Sequence, residues 1–179
     1  FALALTVRAL IAAAEFSGSV VGFQIGLSYA AVIDPQSGVR NNLIAALYSN
    51  MTLMAFFLMN GHHAFLRALR QSYAVLPIGA AGSVGPSMPQ AVMHLLGLIF
   101  VLGARIGAPV VIVLVATDLG LALVARAAPA LNLMVVGPSV RAMVGLMVLA
   151  IVAPTVISVM AGATDTALAL AMETARALR

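Results

Sequence analysis

His62 and His63 stand side by side in a chain that has one further histidine, His94. Neighbours on a helix point about 100° apart, whereas two metal ligands on one helix need a spacing of three or four. HExxH is absent, and the pair reads as interfacial rather than metal-binding. Asp34, Asp118 and Asp165 could in principle supply an aspartyl dyad, but none sits in a recognisable intramembrane protease motif. The glycines at 79, 82 and 85 in PIGAAGSVGPSMP invite a phosphate-loop reading. No GK[ST] follows them and no strand precedes them, so that reading fails. The G-x-S-x-G elbow of serine hydrolases is missing as well. There is no cysteine, which removes disulfides, thiolate metal sites and cysteine nucleophiles. No enzyme is expected, and no cofactor or metal.

The remaining polar residues lie inside apolar runs. Arg8 and Glu15 are seven apart and Asp118 and Arg126 eight apart, so each pair lies near one side of a helix. A proton or ion relay is one use of such groups. A relay normally needs more carboxylates in the apolar core than this chain has. A polar seam against partner subunits accounts for them better. The ten methionines fit ordinary core, or an adaptable seal around a moving polypeptide.

The elements that must hold these residues are membrane elements. The chain has 179 residues, 63% hydrophobic and 8% charged, against roughly 25% charged in soluble domains. Its mean hydropathy is +1.13. The expected fold is all-α and polytopic, with about four to six hydrophobic helices. All nine basic residues are Arg, scattered at helix ends and loops. They form no basic stripe, so the net charge of +4 does not point to nucleic acid. The chain begins at Phe1, already inside an apolar run, from which a missing N-terminal segment is expected.

Phe1 to Ile33 reads as a first apolar helix, with Gly18, Gly22 and Gly26 on one face for close helix packing. DPQSGVRNN (Asp34 to Asn42) is a break. Leu43 to Met59 is a second helix, which Asn60-Gly61 ends. Ala64 to Leu76, with Arg67 and Arg70 on one side, looks interfacial. A loop from Pro77 to Pro89 precedes a long helix from Met93 to Ala128, kinked at Pro109, with Gly103 and Gly107 as a second packing pair. Leu131 to Met160 is expected to bend near Gly137-Pro138 and at Pro154. Asp165 to Arg179 is expected to form an amphipathic tail in which Glu173 and Arg176 pair weakly.

Several blocks then occur in a characteristic order. They are GLSYAAVIDPQSG (Gly26 to Gly38), NGHH (Asn60 to His63), LPIG (Leu76 to Gly79), GLIFVLGARIGAPV (Gly97 to Val110) and DLGLALVARAAPALNLMVVG (Asp118 to Gly137). Together they resemble the FliR family, the R subunits of the flagellar type III export gate, over residues 15–155. Arg126, Pro129 and Asn132, spaced Arg-x-x-Pro-x-x-Asn, are the most specific piece. The Asp34-Pro35-Gln36-Ser37-Gly38 loop looks flagellar rather than virulence-type. The sequence departs from the family at Ala130, where many members have Gln, and at Gly137-Pro138-Ser139, where the proline is shifted by one.

The resemblance implies a gate subunit in the bacterial inner membrane, within the flagellar basal body. One R subunit joins P and Q subunits there, in contact with the export switch protein, and unfolded flagellar proteins are the cargo. It implies kinked helical hairpins packed into a shallow spiral. Residues 1–76 would be the P-subunit-like part, 77–89 a loop, and 90–179 the remaining hairpin and tail. The family's plug loop maps onto Asp34, Pro35, Gln36, Ser37, Gly38, Asn41 and Asn42. Gly18, Gly22, Gly26, Gly103 and Gly107 would pack helices. Arg8, Glu15, Asn60, His62, Asp118, Arg126, Pro129 and Asn132 would form the polar seam and subunit contacts. The rivals are a virulence-type (injectisome) gate subunit and a secondary transporter with a midplane ion site, which predicts inverted repeats. No convincing repeat is seen. An intramembrane hydrolase stands third.

Overall fold

The computed structural model describes residues 2–27, 42–75, 88–128 and 133–177, and every regular element among them is an α-helix. We number these α1 (Ala2–Ile25), α2 (Leu43–Leu58), α3 (Gly61–Val75), α4 (Met88–Ala127) and α5 (Leu133–Ala177).

α1 ends earlier than the apolar run suggested. Gly26 adopts φ 95° and donates its N–H to the Phe23 carbonyl at 3.1 Å, a left-handed helix stop open to glycine at little cost. Gly26 therefore terminates the helix whose packing stripe it was expected to extend. Asn42 starts α2 as its N-cap. At the far end the left-handed residue is Asn60 (φ 56°), not Gly61. Asn60 closes α2 through its N–H to the Phe57 carbonyl, and its own carbonyl accepts from His63 and Ala64 at the start of α3. One residue ends a helix and opens the next, and the two axes meet at 70°.

α4 has 40 residues and runs through Pro109; α5 has 45 and runs through Pro138 and Pro154. The expected bends at these prolines do not divide either helix. The segment expected as a separate tail is continuous with α5 as far as Ala177. At 1.5 Å per residue the two helices reach about 60 and 68 Å, well beyond a hydrocarbon core of ~30 Å. Among the described residues three segments, Ala4–Ile25, Met93–Ala127 and Val136–Thr164, are long and apolar enough to cross a membrane. The bent α2–α3 pair makes a fourth if it counts as one broken span.

α1 is the hub, packing chiefly on α4 and α2 and also on α5. Periodicity explains which faces meet. Leu102, Ile106, Val110 and Leu114 recur every four residues and make one buried stripe along α4. Leu149, Val156, Met160 and Ala163 form a buried stripe on α5, and Ile44, Tyr48 and Ala55 one on α2, at spacings of three, four and seven. On α1 the wholly buried Ala13 and Ala14 sit between Leu10 and Val21, so neighbouring backbones approach closely.

Candidate functional site

One side chain hydrogen-bonds across the α1–α2 junction. The Asn42 Oδ1 accepts from the Ile44 and Ala45 N–H groups (3.1 and 3.4 Å), the usual N-cap pattern. Its Nδ2 donates across the junction to the Gly18 and Ser19 carbonyls of α1 (3.3 and 3.1 Å). Glycines make room for this clasp. A Cβ on Gly22 would overlap the Asn42 amide, and one on Gly18 would lie 2.5 Å from the Ala45 Cα. Gly18 and Gly22 thus lie at the α1–α2 crossing. Gly103 and Gly107 lie at the α1–α4 crossing: added Cβ atoms would be 2.7 Å from the Phe16 ring and 2.9 Å from the Ser17 hydroxyl. Phe16 in turn meets Phe100 edge-on at 5.3 Å.

Asn42 is the last residue of the expected plug loop. The structure places it at the start of α2, fixed to α1. Asp34, Pro35, Gln36, Ser37, Gly38 and Asn41 lie outside the described residues, as do Pro129 and Asn132.

The seam residues fall in three places. Arg8 and Glu15 face outward on α1, 3.7 Å apart, with side chains 66% and 41% exposed. An ion pair that open holds its partners weakly. Asn60 and His62 sit at the α2–α3 bend. The His62 ring lies 5.4 Å from Phe57 and 4.2 Å from His63, and its buried Nδ1 has no hydrogen-bond partner. Among the described residues no group of three or more His, Asp or Glu could hold a metal ion.

Asp118 does not meet Arg126. Its Oδ1 accepts from Arg141 of α5, from Nε at 2.9 Å and from Nη2 at 2.5 Å, with both side chains about one-third exposed. Arg126 is exposed in the last turn of α4, where its charge suits the negative end of the helix dipole. A lone charge at the centre of a spanning helix is disfavoured by roughly 2.5–3.5 kcal/mol, and a partner of opposite charge lowers such a cost. Sequence reasoning missed Arg141, although a signal was present. Arg141 is the only charge in the span from Val136 to Thr164, and Asp118 and Arg141 are nearly equidistant from Pro129-Ala130. A chain folded back there brings the two level. The pair borders a cavity of about 720 Å³, whose walls also include Ile25 to Leu27 at the end of α1 and Gly137 to Ser139 on α5.

Apolar side chains cover much of the outside. On α5, Met143, Met147 and Ile151 are each 69–75% exposed at a spacing of four, and Leu53, Met54, Phe57 and Leu58 are exposed on α2. Surface of this kind meets lipid or other protein.

The chain is similar to known proteins over most of its length. The chain is 33% identical over 147 residues to the flagellar biosynthetic protein FliR of Bacillus subtilis, covering 81% of this chain and 57% of the relative. It is 30% identical over 148 residues to FliR of Pectobacterium carotovorum subsp. carotovorum, covering 81% and 55%. A more distant relative is the surface presentation of antigens protein SpaR of Shigella sonnei, 24% identical over 129 residues, covering 72% and 49%. The chain thus spans about half the length of the curated relatives it matches. The family described as bacterial export proteins, family 1, matches residues 1–167, and the chain belongs to that family.

Proposed function

We propose that the chain is the export-gate part of a flagellar R-type subunit, which helps to form and close the inner-membrane channel that passes unfolded flagellar proteins. The carrying observation is the family match over residues 1–167, joined to relatives named for flagellar biosynthesis. P and Q subunits and the export switch protein are its proposed partners, and the flagellar basal body its proposed place. The broad apolar exterior of α2, α4 and α5 supports a subunit that packs into a larger assembly. The mechanism is passive and assigns no bond-making chemistry to the chain. Residues 1–76 are the proposed P-like part, and residues 90–179 the remaining hairpin.

The test is co-expression of the complete tagged protein with P and Q subunits, followed by the mass of the purified detergent complex. A single R copy in a defined assembly is expected. A stable protein that never captures P or Q overturns the reading, and transport by the isolated chain would then favour a secondary transporter.

The plug assignment has its own test. Because Asn42 caps α2 and clasps α1, a deletion should spare it and remove only Ser37 to Asn41. The expected outcome is an assembled gate that leaks ions. Unchanged conductance in the assembled variant rules out these residues as the plug. The Shigella relative supports a second reading, a virulence-type gate. Restored motility, rather than restored virulence secretion, in strains lacking the corresponding subunit separates the two.

A further inference from the structure

We propose that Asp118 and Arg141 enter the membrane as one neutral unit, so that α4 and α5 insert as an obligate hairpin rather than as two independent spans. Each residue lies within a segment apolar enough to cross a bilayer, Asp118 in Met93–Ala127 and Arg141 in Val136–Thr164. Asp118 is the only acid of α4, and no second charge exists on α5 between Val136 and Thr164. The other charges of α4, Arg105 and Arg126, are exposed bases that offer Asp118 nothing equivalent to the contact from Arg141. The guanidinium meets the carboxylate through two of its nitrogens, and the two helices pack against each other. An unpaired ion of either sign opposes insertion, whereas a hydrogen-bonded pair presents almost no net charge to lipid. Neither helix is fully suited to lipid until the other is beside it. The inference concerns how the chain enters a membrane and holds whether or not the plug assignment does.

These 179 residues contain no cysteine, so a single Ala128→Cys substitution after α4 gives them a clean topological reporter. In the full chain carrying that reporter, Asp118→Leu, Arg141→Leu and the double variant are compared with the parent. The readouts are the fraction resisting alkaline extraction from membranes and the side from which an impermeant maleimide labels the cysteine. Each single variant is expected to lower the correctly inserted fraction roughly five- to tenfold. The double variant is expected to insert like the parent, because it leaves neither an unpaired carboxylate at 118 nor an unpaired guanidinium at 141. Single variants that insert as well as the parent overturn the proposal. So does a double variant as poor as the singles, since the side chains would then matter for their contact and not for their mutual neutralisation.

Discussion

The Asn42 side chain makes four hydrogen bonds, and they separate two roles that one residue type usually hides. Oxygen caps α2; nitrogen holds α1. Asp is as good an N-cap as Asn, but it has no donor and would set a carboxylate against the Gly18 and Ser19 carbonyls. Asn42→Ala is expected to cost about 1–2 kcal/mol. Asn42→Asp should be at least as damaging, and thermal unfolding of the purified protein in detergent measures both. An Asp variant with the parent's melting temperature would mean that the cap alone matters. The sequence placed Asn42 in a loop because Asn and Gly cluster there. Only the position of α1 beside it gives the amide nitrogen something to bind.

At the scale of elements, two kinds of glycine are distinguished by what surrounds them. Gly103 of α4 faces α1, and a Cβ there would press on the Phe16 ring and lie 3.1 Å from the Ala13 carbonyl. Gly120, on the same helix, has nothing within 4 Å of a Cβ. Gly103→Ala should therefore destabilise the α1–α4 crossing. Gly120→Ala should stabilise α4 by about 0.5–1 kcal/mol, since glycine in a helix interior carries an entropic penalty. Melting temperatures of the two variants should move in opposite directions, and parallel shifts would contradict this assignment of faces. Helix identity was legible from apolar runs, and the close-packing role of Gly18, Gly22, Gly103 and Gly107 was expected from their spacing. Gly26 shares that spacing yet ends α1, because a period of four records which face a residue would occupy only while the helix continues.

For the whole molecule, the large unanswered surface is apolar. α4 hides the Leu102–Ile106–Val110–Leu114 stripe, while α5 leaves Met143, Met147 and Ile151 open. In an assembled gate the open face would meet neighbouring subunits or lipid. A photo-crosslinking residue at Met147 or Ile151, in cells making P and Q subunits, is expected to capture one of them, whereas the same group at Val110 should yield only internal crosslinks. Capture from Val110 would mean that α4 turns a different face to its own chain inside the gate. No capture from α5 would leave that face to lipid.

The sequence alone determined the class of this protein. Apolar runs of this length exclude a soluble core, and the order of its motif blocks indicates an export-gate family. These properties are carried by composition and local order, which do not depend on where other segments lie. Partnership did not follow from the sequence in the same way. Asp118 has Arg126 eight residues away on its own helix and Arg141 twenty-three away on the next. Helical spacing favoured the first, because it knows only one helix. The fold chose the second, since α4 and α5 lie against each other and bring the two charges together. What the Asn42 amide nitrogen binds and which charge answers which were tertiary decisions, set by contacts between segments that no single run of residues contains.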